Sequence, residues 1–62
     1  MCLSKAYRVS EEQQELLCEY VGDIRIDGTT IYLTDIVGQE SVIEGTILRV
    51  DLINNAVYIK AA

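Results

Sequence analysis

The sequence contains no histidine, tryptophan, phenylalanine or proline. The lack of histidine carries the most chemistry. Histidine is the commonest side chain for moving protons near neutral pH and the commonest metal ligand. Serine–histidine hydrolase triads and imidazole zinc sites are therefore excluded. Cations are scarce as well. Lys5, Arg8, Arg25, Arg49 and Lys60 are the only ones, they are scattered, and they face ten carboxylates for a formal net charge of −5. Phosphate backbones and anionic membranes are bound by clustered Lys and Arg, so this balance argues against both as main ligands. The four glycines, Gly22, Gly28, Gly38 and Gly45, lie far apart, and no Gly-rich phosphate loop is present. No run is long enough to span a bilayer, and the N-terminus lacks the apolar stretch of a signal peptide. The expected compartment is the cytoplasm, where thiols stay reduced.

What is present is a short, apolar chain. Its 62 residues make one domain, 1–62, and half of them are hydrophobic. A chain of this size buries only about 60% of its unfolded surface. Small domains commonly add a disulfide, a metal or a partner chain to a limited core. An apolar excess on so small a body leads to the expectation of a homo-oligomer.

The apolar pattern has period two. Ile24 and Ile26, Ile31 and Leu33, then Leu48, Val50 and Leu52, then Val57 and Ile59 alternate as in strands. Asp27-Gly28 is a strong signal for a type I′ hairpin turn, and Asn54-Asn55 reads as another tight turn. Val37–Glu40 reads as a third. The expected strands are Leu3–Val9, Leu16–Ile26, Ile31–Ile36, Ser41–Val50 and Val57–Lys60. Gly22 and Gly45 fall inside two of them, where glycine marks a bulge or bend. Five short, bent antiparallel strands curl into a small all-β barrel of the SH3-like type. Ser10–Gln13 is ambiguous: it fits a capping box and a short helical turn near residues 10–15, or a polar loop. Glu11, Glu12, Glu15 and Glu19 read as a solvated acidic surface.

A barrel of this size is filled by its own side chains. With no histidine, no phosphate loop and little room for a pocket, the chain reads as a non-enzyme. Tyr7, Tyr20, Tyr32 and Tyr58 read as core or interface residues rather than platforms for nucleobases, although Sm-like and SH3-like barrels that bind RNA keep that function open as an alternative. A module that docks on a larger protein through a sheet edge or apolar face is a further alternative.

The two cysteines, Cys2 and Cys18, do not form a CxxC motif. A first hairpin centred near residues 10–15 pairs positions summing to about 25. That sets Cys18 opposite Tyr7 and Cys2 opposite Asp23, too far apart for a disulfide. Cys18, after Leu16-Leu17, reads as a small core residue. Cys2 reads either as a small residue opening the first strand or as an exposed ligand. Its sulfur and its own nitrogen can close a five-membered chelate ring on one ion. That nitrogen is an amine if Met1 is removed and an amide if it is kept. Planar nitrogen–sulfur sets suit Ni(II) or Cu(II), whereas Zn(II) prefers a tetrahedron of side chains. One histidine-free chain cannot complete such a set; two chains related by a two-fold axis can.

The opening Met1-Cys2-Leu3-Ser4-Lys5-Ala6-Tyr7 resembles the CooT family of small nickel-binding proteins. So do Glu15-Leu16-Leu17, the strand Ile31–Gly38, and Glu44-Gly45 with Val50-Asp51-Leu52. The resemblance spans nearly the whole chain, and the Met-Cys start is its most specific element. It implies an SH3-like fold, a homodimer, and Ni(II) held at the dimer interface by Cys2 of each chain. It further implies a chaperone or store serving a nickel enzyme such as carbon monoxide dehydrogenase.

Overall fold

The computed structural model describes residues 3–62. Five strands follow one another: β1 (Ser4–Ser10), β2 (Gln13–Asp27), β3 (Thr30–Asp35), β4 (Glu40–Asp51) and β5 (Ala56–Ala61). Each expected strand is present, displaced by one residue at most ends. β2 is longer, beginning at Gln13. The strands close into a barrel in the order β1-β2-β3-β4-β5. All sequential neighbours are antiparallel, and β1 and β5 close the ring as a parallel pair. The parallel seam is a matter of parity. Up-and-down alternation cannot return to its start after an odd number of strands.

Two long strands are shared between two layers. β2 pairs with β1 up to Val21 and with β3 from Val21 onward. β4 pairs with β3 up to Glu44 and with β5 from Gly45 onward. The two exchanges fall at the two glycines expected to mark breaks. A bulge separates Val21 from Asp23, leaving Gly22 unpaired in the register. At Gly45 the reason is steric: an added Cβ would collide with the Lys60 carbonyl and stand 3.0 Å from the Ala61 Cα. Only a residue without a side chain lets β5 cross so near.

The first hairpin corrects two expectations. No helical turn forms near residues 10–15. Ser10 pairs with Gln13, and Glu11-Glu12 make a two-residue turn. The capping-box residues of an isolated segment gain one local bond, whereas a continued ladder satisfies the backbone of both strands. The register also drifts. Ser4 faces Val21, Ala6 faces Cys18, and Tyr7 faces Leu16, with irregularities between each. The facing sum falls from 25 to 23 across two bulges, so Cys18 stands opposite Ala6 rather than Tyr7.

The turns differ in detail as well. Asp27 pairs with Thr30, which makes Gly28 and Thr29 the central residues. Of these only Gly28 has positive φ, +62°. Positive φ at the first central position alone is the type II′ requirement, not type I′. Between β4 and β5 four residues intervene, and only Asn55 adopts the left-handed region, at φ 54°. Asp51 shapes this loop. Its Oδ1 accepts the Ile53 and Asn54 amides, each at 3.1 Å, and its Oδ2 accepts Asn54 Nδ2 at 2.9 Å. The β3–β4 loop is built the same way: Asp35 Oδ1 accepts the amides of Val37 at 3.0 Å and Gln39 at 2.8 Å.

The core holds Ala6, Val21, Ile31, Leu33, Val57 and Ile59, with Leu17, Cys18, Ile24, Ile43 and Ile47 packed around it. The alternating set Leu48, Val50 and Leu52 forms strand and loop as its period suggests, yet all three are exposed. A bulge between Ile47 and Arg49 shifts the side-chain parity of β4. That shift leaves a large share of the chain's apolar residues outside the core.

Candidate functional site

Cys2, the expected metal ligand, lies outside the described residues. The chain can be followed from Leu3, which is 39% exposed. Two interactions fix where it enters the barrel. Ser4 pairs with Val21, and the Lys5 amide donates to the Asn55 carbonyl at 2.9 Å. The entry point therefore lies at the corner where β2 changes layers and the β4–β5 loop closes over the seam. An open groove runs there between the layers, lined by Ser4, Gly22, Ile24, Val50, Leu52 and Val57. Asp23 is the one charged residue along it.

Tyr20 stands at the same corner. The bulge in β2 inserts an extra residue between Cys18 and Val21, and Tyr20 takes φ 57°. A bulky residue in the left-handed region is an outlier, costing on the order of 1–3 kcal/mol. Its carbonyl accepts the Ile36 amide at 3.0 Å, and its side chain remains 49% exposed. Sequence reasoning did not single out this residue. The signal that could have found it is the run Leu16-Leu17-Cys18-Glu19-Tyr20-Val21, which breaks the two-residue alternation and so demands a bulge.

Cys18 sits half-buried beside the core, as expected for a small apolar residue. Its Sγ lies 3.4 Å from the Glu19 carbonyl, to which the thiol donates. Burial pushes the thiol pKa up, and the carboxylates of Asp35 and Glu19 push it in the same direction. A thiol held protonated is a poor metal ligand, because the thiolate is the binding form. Of the acids, Asp35 beside Cys18 and Asp51 in the β4–β5 loop are engaged in organising their loops. Among the described residues no group of three or more His, Cys, Asp or Glu side chains could hold a metal ion. The donor chemistry of residues 3–62 thus gives no single-chain site. A planar nitrogen–sulfur set built on Cys2 remains compatible with the chain.

The outer faces bear on nucleic-acid binding. Arg8 lies 3.7 Å from Glu15, Arg25 is 3.9 Å from Glu40, and Arg49 is 3.8 Å from Asp51. Arg25 also covers the Tyr32 ring at 4.4 Å, and Arg49 covers Tyr58 at 4.6 Å. Three of the five cations face carboxylates, and three of the four tyrosines, Tyr7, Tyr32 and Tyr58, have a ring face occupied. Stacking of bases on tyrosine with basic neighbours would require these contacts to open.

A closed five-stranded ring with two shared, kinked strands and a small filled core defines a small SH3-like barrel. The chain belongs to the CooT family: its residues 1–60 match the family model described as the CO dehydrogenase accessory protein CooT. A crystal structure assigned to CooT from Carboxydothermus hydrogenoformans superposes with a TM-score of 0.90, covers 98% of each chain and shares 26% of the sequence. No curated protein shows significant similarity. Family membership bears out the resemblance carried by the Met-Cys start and the strand motifs. It supports an accessory role in enzyme maturation.

Proposed function

We propose that this protein is a non-catalytic, cytoplasmic Ni(II)-binding homodimer that carries or stores nickel for maturation of a nickel enzyme such as carbon monoxide dehydrogenase. Cys2 of each chain supplies the thiolate, and the metal is cargo at the contact between two chains. The observation that carries this reading is the pairing of family with donor chemistry. The family is one of carbon monoxide dehydrogenase accessory proteins. The chain has no histidine, and no multidentate cluster occurs among its described residues. Of the two thiols, Cys18 is half-buried with its pKa raised. The donor left for a soft or borderline divalent ion is Cys2 with adjacent backbone nitrogen, doubled by symmetry.

Titration of the purified chain with Ni(II) tests the proposal. A thiolate-to-nickel charge-transfer band should saturate at about one metal per two chains. Cys2→Ser should abolish the band, whereas Cys18→Ser should leave it. Nickel binding by Cys2→Ser equal to that of the parent would refute the assignment.

A further inference from the structure

We infer that the open edge of the first hairpin, along residues 13–19 of β2, is a docking strand for a partner protein, which adds to it an extended segment of alternating basic and apolar residues. β1 covers one side of this stretch. Among the described residues β2 takes its second partner, β3, only from Val21 onward. The turn at Glu11-Glu12 fixes which backbone groups face outward. Ser10 and Gln13 flank a two-residue turn and exchange both bonds, and antiparallel pairs then alternate between non-bonded and bonded. Arg8 and Glu15 are the next bonded pair, so the N–H and C=O of Gln14 and Leu16 point away from β1. Such a row of open amides and carbonyls is a template for another strand.

Sheet edges are normally blunted by bulges or by charged residues, lysine above all. The edge that β4 forms beyond Gly45 fits that pattern: it is broken by a bulge between Ile47 and Arg49 and carries the arginine itself. The edge of the first hairpin does not. From Ser10 and Gln13 to Tyr7 and Leu16 its register runs without a break, and Leu16 is 45% exposed despite being a large aliphatic. Side chains alternate across this edge. Leu16 and Gln14 share one face and Glu15 stands on the other. An added strand therefore meets an aliphatic on one face and a carboxylate on the other.

Charge selects the partner. Residues 8–19 hold one arginine against four glutamates, a net −3 of the chain's −5. Arg8 reaches Glu15 at 3.7 Å between two exposed side chains, so an incoming cation displaces it at little cost. Lys60 lines a groove with Val9 and Glu11, but it belongs to β5, across β1 from this edge. A second copy of the chain laid along the edge would bring four more glutamates beside these, and like charges on neighbouring strands repel. Lysine or arginine at alternate positions of the added strand matches instead. The edge also stands clear of the chain start. From Ser4 to Ser10 β1 extends about 20 Å, which carries the hairpin away from the corner where the chain enters the barrel.

Fluorescence anisotropy of dye-labelled peptides titrated with the full chain at low ionic strength tests the edge. A capped peptide of alternating lysine and valine should bind, and the same peptide with glutamate for lysine should bind at least ~10-fold more weakly. Gln14→Pro removes an outward N–H that the hairpin does not use, so it should keep the melting temperature and weaken binding at least ~10-fold. Methylating the backbone nitrogens of the lysine–valine peptide should cause a similar loss, a test of strand addition that leaves the chain unaltered. Glu15→Lys combined with Glu19→Lys should weaken binding at least ~10-fold, whereas Asp27→Asn in the second hairpin should leave it unchanged. Absence of binding by the lysine–valine peptide at hundreds of micromolar overturns the inference. So does equal binding of the methylated peptide or of the glutamate peptide, or undiminished binding by the doubly substituted chain. Cys2→Ser should bind the peptide as the parent does, so this edge and the nickel reading stand or fall separately.

Discussion

Tyr7 stacks on Tyr58 across the parallel seam, with ring centroids 5.5 Å apart and planes inclined by 18°. The seam joins β1 to β5 through four residue pairs, from Lys5 and Ala56 to Arg8 and Ile59. Arg49, opposite Tyr58 on β4, covers the free side of that ring. The stack therefore clasps the ring of strands where its backbone pairing is shortest. Tyr58→Ala should lower unfolding stability by about 2 kcal/mol. A double-mutant cycle with Tyr7→Ala should show coupling of roughly 0.5–1.5 kcal/mol in urea melts. Additive losses would mean that the rings merely lie side by side.

Gly45 tests the strand exchange in β4. Its added methyl would meet the Lys60 carbonyl and the backbone at Ala61, neither of which is a flexible side-chain end. Gly45→Ala should cost on the order of 3 kcal/mol or prevent folding. Gly22→Ala, where the nearest atom to the new methyl is Ile36 Cγ2 at 3.7 Å, should change the melting temperature little. Equal losses at both sites would show that the exchange does not depend on this close approach.

Acid should loosen the β4–β5 loop through Asp51. The Asn54 side-chain amide bonds its carboxylate and holds its pKa below the ordinary 3.8, aided by the backbone amides of Asn54 and Ile53 and by Arg49. A carboxyl with a folded pKa below its unfolded one contributes stability above the unfolded value. That contribution is lost as pH falls through the folded value. Melting temperatures should thus decline from just below pH 4 downward, and Asp51→Asn should flatten that decline. An identical acid limb in the variant would show that other carboxyls govern it.

Cys18 should react slowly. Burial, reinforced by Asp35 and Glu19, keeps its thiol protonated at pH values where a solvated cysteine ionises. In a Cys2→Ser background, alkylation by iodoacetamide at pH 8 should run at least ~10-fold below the rate of an unstructured peptide thiol. It should reach the peptide rate in denaturant. A fast reaction in the folded chain would contradict the packed environment of Cys18.

The strands were legible because burial imposes a two-residue period wherever one face of a sheet is dry. Ile31–Leu33 and Val57–Ile59 supplied the core as their alternation implies. Gly22 and Gly45 were legible as breaks, since glycine inside a strand pattern often marks a bulge, as at Gly22, or a close backbone crossing, as at Gly45. The Ser10–Gln13 segment was not legible. Its local capping pattern competes with long-range ladder bonds that no short window contains. The candidate ligand Cys2 was drawn from the chain start and the family resemblance, and it lies beyond the described residues. The surface that surrounds the neighbouring Leu3 came from the fold.

The sequence by itself determined an acidic, histidine-free, all-β chain, its strand positions and its family, because these follow from residue chemistry and local periodicity. The tertiary structure alone decided the parallel closure, the drift of register across the first hairpin, and the outward face of Leu48, Val50 and Leu52. The physical reason is common to all three. Each bulge and each pairing is fixed by a partner distant in sequence, and a one-residue slip moves a whole row of side chains from core to solvent.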